Sequence, residues 1–110
     1  MKKILWLTES WSFDTDKEIV PYLKKNSGFD ITWVVVGKGN IHSTDVYTFI
    51  EQPYSLKDPR MFFFYRKVLK KYHIGDADLV YSSFHGFPFY YPALFSQKTS
   101  KQKIIHAAHN

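Results

Sequence analysis

Residues 78–91, DLVYSSFHGFPFYY, constrain this chain more than any other stretch. Asp78-Leu79-Val80-Tyr81-Ser82 is short, apolar and rich in β-branched and aromatic residues, the pattern of a buried strand. It stops at Ser83-Phe84-His85-Gly86, and Pro88 then supplies a φ suited to the first turn of a helix. A strand that ends in a polar loop and runs into a helix is half of a βαβ unit. In open α/β sheets, ligands sit at such carboxyl ends. A site in this chain is therefore expected to carry His85 and Gly86 on its rim.

The 110 residues suffice for one domain with a single core. A hydrophobic share of 45% and an aromatic share of 19% describe a globular chain. Ten Phe, eight Tyr and three Trp are more than one small core easily hides. Some of those rings are expected to face a ligand, a partner domain or a membrane. With no cysteine there is no disulfide framework, thiolate nucleophile or thiolate metal site, which suits a reducing cytosol. Met1-Lys2-Lys3 before Ile4-Leu5-Trp6-Leu7 resembles the start of a secretory leader. The apolar run ends at Thr8-Glu9, short of the ~7–15 residues such a leader needs, and no run approaches the ~20 of a spanning helix. A formal charge of +5 favours an anionic partner without naming one.

Taken in order, residues 3–8 (KILWLT) read as the first central strand of a parallel sheet. Asp14-Thr15-Asp16 offers capping groups to a helix that runs to about Asn26 and ends at Gly28. Pro21 is tolerated there if the helix starts near Asp16 or Lys17, because it then lies close to the first turn. Residues 30–36 (DITWVVV) form the second strand, and residues 44–50 (TDVYTFI) alternate as a third, half-buried one. The linker between them is short for a parallel crossover, so the third strand is either parallel or an antiparallel edge. Residues 59–72 form a second helix, with Met61, Tyr65, Val68, Leu69 and Tyr72 on one apolar face. Residues 87–97 form a third, mostly in its second half because of Pro88 and Pro92. Residues 103–108 (KIIHAA) form the last strand. The result is an α/β layered sandwich with a mostly parallel five-stranded sheet in the order 3-2-1-4-5, the front part of something longer.

Several chemistries are excluded or weakened. The loop after the first strand, Glu9-Ser10-Trp11-Ser12-Phe13-Asp14, has no glycine, and neither nucleotide-binding glycine motif occurs anywhere. Glycines let a backbone approach phosphate closely, so a dinucleotide-dependent dehydrogenase and a P-loop NTPase are both disfavoured. The acids of a receiver domain are also missing. His85, His106 and His109 lie near the ends of the fourth and fifth strands, but His106 and His109 are three residues apart and point to opposite faces. No metal spacing is present, so no metal site is expected. His85 is either a site residue or a loop histidine without a role; His109 suits a polar role at a strand's carboxyl end.

The second helix carries Arg60, Arg66, Lys67, Lys70 and Lys71 behind its apolar face, with Phe63 and Phe64 among them. Rings beside cations suit a membrane interface with anionic lipid, a surface of Phe63, Phe64, Arg66, Lys67, Lys70 and Lys71. The alternative is a solvated charged face with both rings covered by a neighbouring loop. No nucleic-acid-binding motif appears, and nucleic acid is not an expected partner.

Lys2-Lys3-Ile4-Leu5-Trp6-Leu7 as opening strand, Asp78-Leu79-Val80-Tyr81, then Ser83-Phe84-His85-Gly86-Phe87, and Ile104-Ile105-His106-Ala107-Ala108-His109-Asn110 occur in an order and spacing that resemble the N-terminal half of a GT-B glycosyltransferase, family 4. The resemblance implies two Rossmann-like domains, the N-terminal one holding the acceptor and the C-terminal one a nucleotide sugar. It implies glycosyl transfer without a bound metal or cofactor, the nucleotide sugar being the donor substrate. His109 would then contact the transferred sugar and stabilise charge in the transition state. Ser10, Trp11 and Ser12 would face the donor phosphates, although the family's glycine-rich first loop is absent here. His85 and Gly86 would line the acceptor side, and Trp11 is either a sugar-stacking platform or packed on a neighbouring loop. The resemblance also implies membrane docking by the N-terminal domain.

The expected function is thus the acceptor-side domain, residues 1–110, of an enzyme that builds a cell-surface polysaccharide or glycolipid. Its partners are a missing C-terminal domain, a sugar or lipid-linked acceptor and an anionic membrane surface. The expected location is the cytoplasm, at the inner face of the plasma membrane. Alone, the chain is expected to be inactive. The rival is a non-catalytic α/β binding module that recruits an enzyme to a membrane.

Overall fold

Strand β1 (Lys3–Glu9) alternates its side chains between two cores, and the rest of the fold is layered around that alternation. The computed structural model describes residues 2–10, 13–39, 42–83, 89–97 and 103–106. After β1 come α1 (Phe13–Asn26), β2 (Asp30–Gly37), β3 (Thr48–Glu51), α2 (Arg60–Lys71), a 3-10 turn (Ile74–Asp76), β4 (Leu79–Ser83), α3 (Tyr90–Gln97) and β5 (Lys103–His106). Among the described residues the strands form one five-stranded sheet in the order β3-β2-β1-β4-β5, parallel at every pairing. This is the expected order. β1 is central, with Lys3 opposite Asp30 and Glu9 opposite Val36 on one side, and Ile4 opposite Leu79 and Thr8 opposite Ser83 on the other.

On one face Leu5 and Leu7 pack with Val34, Val36 and Val80 beneath α2 and α3, which contribute Met61, Tyr65, Val68, Leu69, Tyr90, Ala93 and Leu94. The predicted apolar face of α2 is the buried one, except that Tyr72 is only half-buried. On the other face Ile4, Trp6, Ile31, Trp33 and Val35 meet Val20 of α1. Each such aliphatic side chain taken out of water stabilises the fold by about 1.5–3 kcal/mol before entropy is counted. Tyr81 stacks on Trp6 with ring centroids 4.0 Å apart, and Phe13 and Tyr47 close over Trp33.

Helix α1 starts at Phe13, not near Asp16, so Pro21 lies well beyond the first turn. A proline there removes the N–H that would serve the Lys17 carbonyl; Lys17 is exposed, and water can take that bond. Asp16 is not a surface cap. It is buried under α1, where the Thr8 hydroxyl donates to Oδ2 at 2.6 Å and the Trp6 indole N–H at 3.3 Å. The Trp33 indole N–H donates in turn to Thr8 Oγ1 at 2.9 Å. The helix ends as expected before Gly28, whose φ of 73° is the left-handed conformation of a helix stop.

Strand β3 is four residues long, shorter than expected, and it is parallel. The first half of the predicted strand is a local turn in which the Thr44 hydroxyl accepts the N–H groups of Val46 and Tyr47. A four-residue strand needs a return of only about 13 Å, which the stretch of residues 38–47 can span more than twice over if extended, at about 3.3–3.6 Å per residue. No helical crossover is required. Helix α3 begins at Tyr90, later than the expected residue 87, so Pro92 falls in its first turn. The expected last strand extended to residue 108; residues 107–110 lie outside the described ones.

Candidate functional site

Connections leave β1 toward β2 on one side and β4 toward β5 on the other, so the sheet's switch point lies between β1 and β4. A crevice outside the carboxyl ends of those two strands is where an open parallel sheet receives a ligand. The residues there are Glu9 and Ser10 from the end of β1, and Ser82 and Ser83 from the end of β4.

Strand parity decides which way each points. Glu9 follows Leu5 and Leu7 onto the α2/α3 face, and Ser82 follows Val80 there. The Glu9 residue is 4% exposed and Ser82 is fully buried. The Ser82 hydroxyl and the Tyr90 phenol share a hydrogen bond of 2.5 Å. Three phenols gather above this point: the ring of Tyr65 meets Tyr90 edge-on at 5.3 Å, and Tyr90 meets Tyr91 at 5.1 Å. Tyr65 and Tyr90 are buried, whereas Tyr91 is half-buried.

The phenols titrate far above their ordinary range. Burial, with the Glu9 charge second, pushes Tyr91 up to about 12. Burial pushes Tyr65 higher, again with Glu9 adding to it. Burial raises Tyr90 too, the Ser82 hydrogen bond opposing it and nearby charges adding to it. All three therefore keep their protons near neutrality and offer hydroxyls, not phenolates. The described residues at the carboxyl ends of β1 and β4 thus bring together a carboxylate, serine hydroxyls and phenols, most of them buried.

Ser10 lies at the end of β1, half-buried against Gly37 at the end of β2. A Cβ on Gly37 would collide with the Ser10 side chain, so the glycine is what lets the first loop leave β1 at this angle. Of the residues expected in the site, Ser10 is the one described. Trp11, Ser12, His85, Gly86 and His109 lie outside the described residues. Glu9, Ser82, Tyr90 and Tyr91 were not foreseen as site residues. The signal for Glu9 was parity: it falls two and four positions after Leu7 and Leu5.

On α2, Phe63 is 68% exposed, and Arg66, Lys67, Lys70 and Lys71 are exposed beside it, whereas Phe64 is half-buried against the core. Two shallow hollows flank Phe63. One, of about 390 Å³, is lined by Pro53, Tyr54, Arg60, Phe63, Phe64 and Lys67. The other, of about 300 Å³, is lined by Phe63, Arg66, Lys67, Lys70 and Gln97. Arg60 lies over the Tyr54 ring at 3.9 Å and pairs with Asp58 at 2.7 Å. Among the described residues no three His, Asp or Glu side chains gather as metal ligands, and no helix is long and apolar enough to cross a membrane.

No family model matches the chain, and no curated protein matches it. Among solved structures, a short chain dehydrogenase family protein from Francisella tularensis subsp. tularensis SCHU S4 superposes with a TM-score of 0.61 at 12% identity, over 94% of this chain and 50% of that one. The fold is Rossmann-like. At that identity the likeness speaks for the fold alone, and this chain spans half the length of that neighbour.

Proposed function

We propose that this chain is the acceptor-side domain of a glycosyltransferase of the GT-B type, holding a sugar or lipid-linked acceptor at the carboxyl ends of β1 and β4. The observation that carries the reading is the chemistry of the switch point. In place of a glycine turn fit for pyrophosphate it gathers the buried Glu9 carboxylate, the bonded Ser82–Tyr90 pair and, beside them, the half-buried phenol of Tyr91. Acceptors and hydroxyl donors of that kind suit a polyhydroxylated ligand. A second domain supplies the nucleotide sugar. The acceptor hydroxyl's oxygen then bonds to the anomeric carbon, the bond to diphosphate breaks with its electron pair leaving on phosphate, and the hydroxyl's proton passes to the departing diphosphate. On the family resemblance, His109 contacts the transferred sugar, Ser10, Trp11 and Ser12 face the donor, and His85 and Gly86 line the acceptor side.

Location at an anionic membrane surface, on the cytoplasmic side, belongs to the same proposal. It is supported by Phe63 standing exposed among Arg66, Lys67, Lys70 and Lys71. The same surface supports the second reading, a binding module that recruits an enzyme to a membrane without chemistry of its own.

Saturation-transfer NMR on the 110-residue chain separates them. Neutral methyl glycosides give transfer signals under the first reading, while UDP-glucose gives none because its site is on the other domain. Silence from every glycoside, with vesicle binding intact, supports the recruiting module instead.

A further inference from the structure

We propose that the stripe Phe63, Arg66, Lys67 and Lys70 is a discrete site for a membrane lipid whose headgroup is a phosphate monoester. This deepens the membrane location proposed above and rests on it; the chemistry at the switch point does not enter. Residues 63, 66, 67 and 70 are spaced i, i+3, i+4 and i+7, so they share one face of α2. All four are exposed. Gln97 flanks that face from α3, its side-chain amide donating to the Arg66 carbonyl at 2.7 Å. Together these residues line one hollow of about 300 Å³.

The two hollows beside Phe63 differ in charge. Among the described residues, Arg66, Lys67 and Lys70 join no ion pair, and no acid lines their hollow. In the other hollow Arg60 is already neutralised by Asp58 at 2.7 Å and lies over the Tyr54 ring at 3.9 Å. Pro53, Tyr54, Phe63 and Phe64 make the rest of its wall largely apolar, and Lys67 lines both hollows.

Unpaired cations on one side of a ring and an apolar trough on the other fit a single lipid. Its phosphate meets Arg66, Lys67 and Lys70, and the first carbons of its chain lie against Phe63 and Tyr54. A diester headgroup brings one negative charge. A monoester brings about 1.5 to 2 near neutrality, with three acceptor oxygens for the cations to share. Helix α2 runs against the strands, because Tyr72, just past its end, shares a hollow with Lys3 and Asp30 at the amino ends of β1 and β2. Phe63, near the helix start, therefore stands toward the carboxyl ends of the sheet.

The test is vesicle co-sedimentation of the 110-residue chain. Phosphatidylcholine vesicles carry either phosphatidic acid, a monoester, or phosphatidylglycerol, a diester, adjusted to the same surface potential. Phosphatidic acid is expected to bind at least about fivefold more tightly. Lys67→Gln with Lys70→Gln weakens that binding about 30-fold. Lys24→Gln with Lys25→Gln removes the same charge from α1, on the other face of the sheet, and changes it less than about twofold. Arg66→Lys keeps the charge and loses the planar fork, so it weakens phosphatidic acid and leaves phosphatidylglycerol unchanged. All these positions are exposed, and an unchanged far-UV spectrum confirms folding. Equal binding of the two lipids, or equal loss from the two lysine pairs, overturns the site and leaves the membrane location standing. Soluble glycerol phosphate or a glutamate-rich peptide binding as tightly as the vesicles also overturns it, the surface then serving a free phosphate or an acidic protein segment. No binding to any vesicle overturns the membrane location, and this site with it.

Discussion

The Thr8 hydroxyl donates to the Asp16 carboxylate at 2.6 Å, and neither residue is open to water. The bond ties the central strand to the helix that covers its second face, and the indoles of Trp6 and Trp33 are held in the same group. Asp16→Ala would leave the Thr8 hydroxyl and the Trp6 N–H without their acceptor. It is expected to lower stability by about 3 kcal/mol, and Asp16→Asn, which keeps an oxygen, by about half as much. Urea unfolding followed by tryptophan fluorescence reads both. A loss under about 0.5 kcal/mol for Asp16→Ala would show that the group contributes little.

Gly37 is held to glycine by the Ser10 side chain, not by its own φ. Gly37→Ala is expected to destabilise by about 1–3 kcal/mol through overpacking. Ser10→Gly alone should cost less, and the double variant should recover most of the loss, because the side chain that Cβ meets is gone. Additive losses in that double-mutant cycle would place the strain elsewhere.

Alkaline pH should unfold this protein early. A tyrosine whose folded pKa lies above its unfolded value of about 10 holds its proton more tightly when folded. The folded state then has its full advantage below pH ~10 and loses it as pH rises toward the folded value. Tyr91 is pushed to about 12, and Tyr65 and Tyr90 are raised as well, so the loss runs from about pH 10 upward. Absorbance at the phenolate band should show at least these three titrating late, in step with loss of the far-UV helix signal. Eight tyrosines titrating together near pH 10 with the fold intact would contradict it.

Phe63 stands 68% exposed between its two hollows, so its removal should leave the fold unchanged. Vesicles containing anionic lipid are expected to bind the chain and to release it at high salt. Phe63→Ser should weaken that binding about tenfold, and Lys67→Glu with Lys70→Glu should abolish it. Equal binding to neutral and anionic vesicles would remove the electrostatic part of the account.

The sheet order was readable because its apolar runs differ in kind: β1 and β2 are continuous and central, while residues 44–50 alternate as an edge does. What was misread has particular causes. Asp14-Thr15-Asp16 looks like a cap by composition, and only the packing of α1 shows Asp16 turned inward to Thr8. Thr44 and Val46 alternate like a strand, yet the Thr44 hydroxyl folds them into a turn. Glu9 reads as the first loop residue because it is charged, although strand parity carries it one step further into the sheet. Tyr90 and Tyr91 read as helix residues; that Tyr90 meets Ser82 and that both feel Glu9 depends on contacts between distant parts of the chain.

Chemical-shift mapping of the 110-residue chain tests the central claim most directly. Methyl glucoside is expected to move the amides of Glu9, Ser10, Ser83 and Tyr91, at the carboxyl ends of β1 and β4, and to leave Lys3 and Asp30 at the opposite edge unmoved; NAD is expected to move none of them. NAD moving the amides of Glu9 and Ser10 while the glucoside leaves them in place would contradict the account and make the switch point a dinucleotide site.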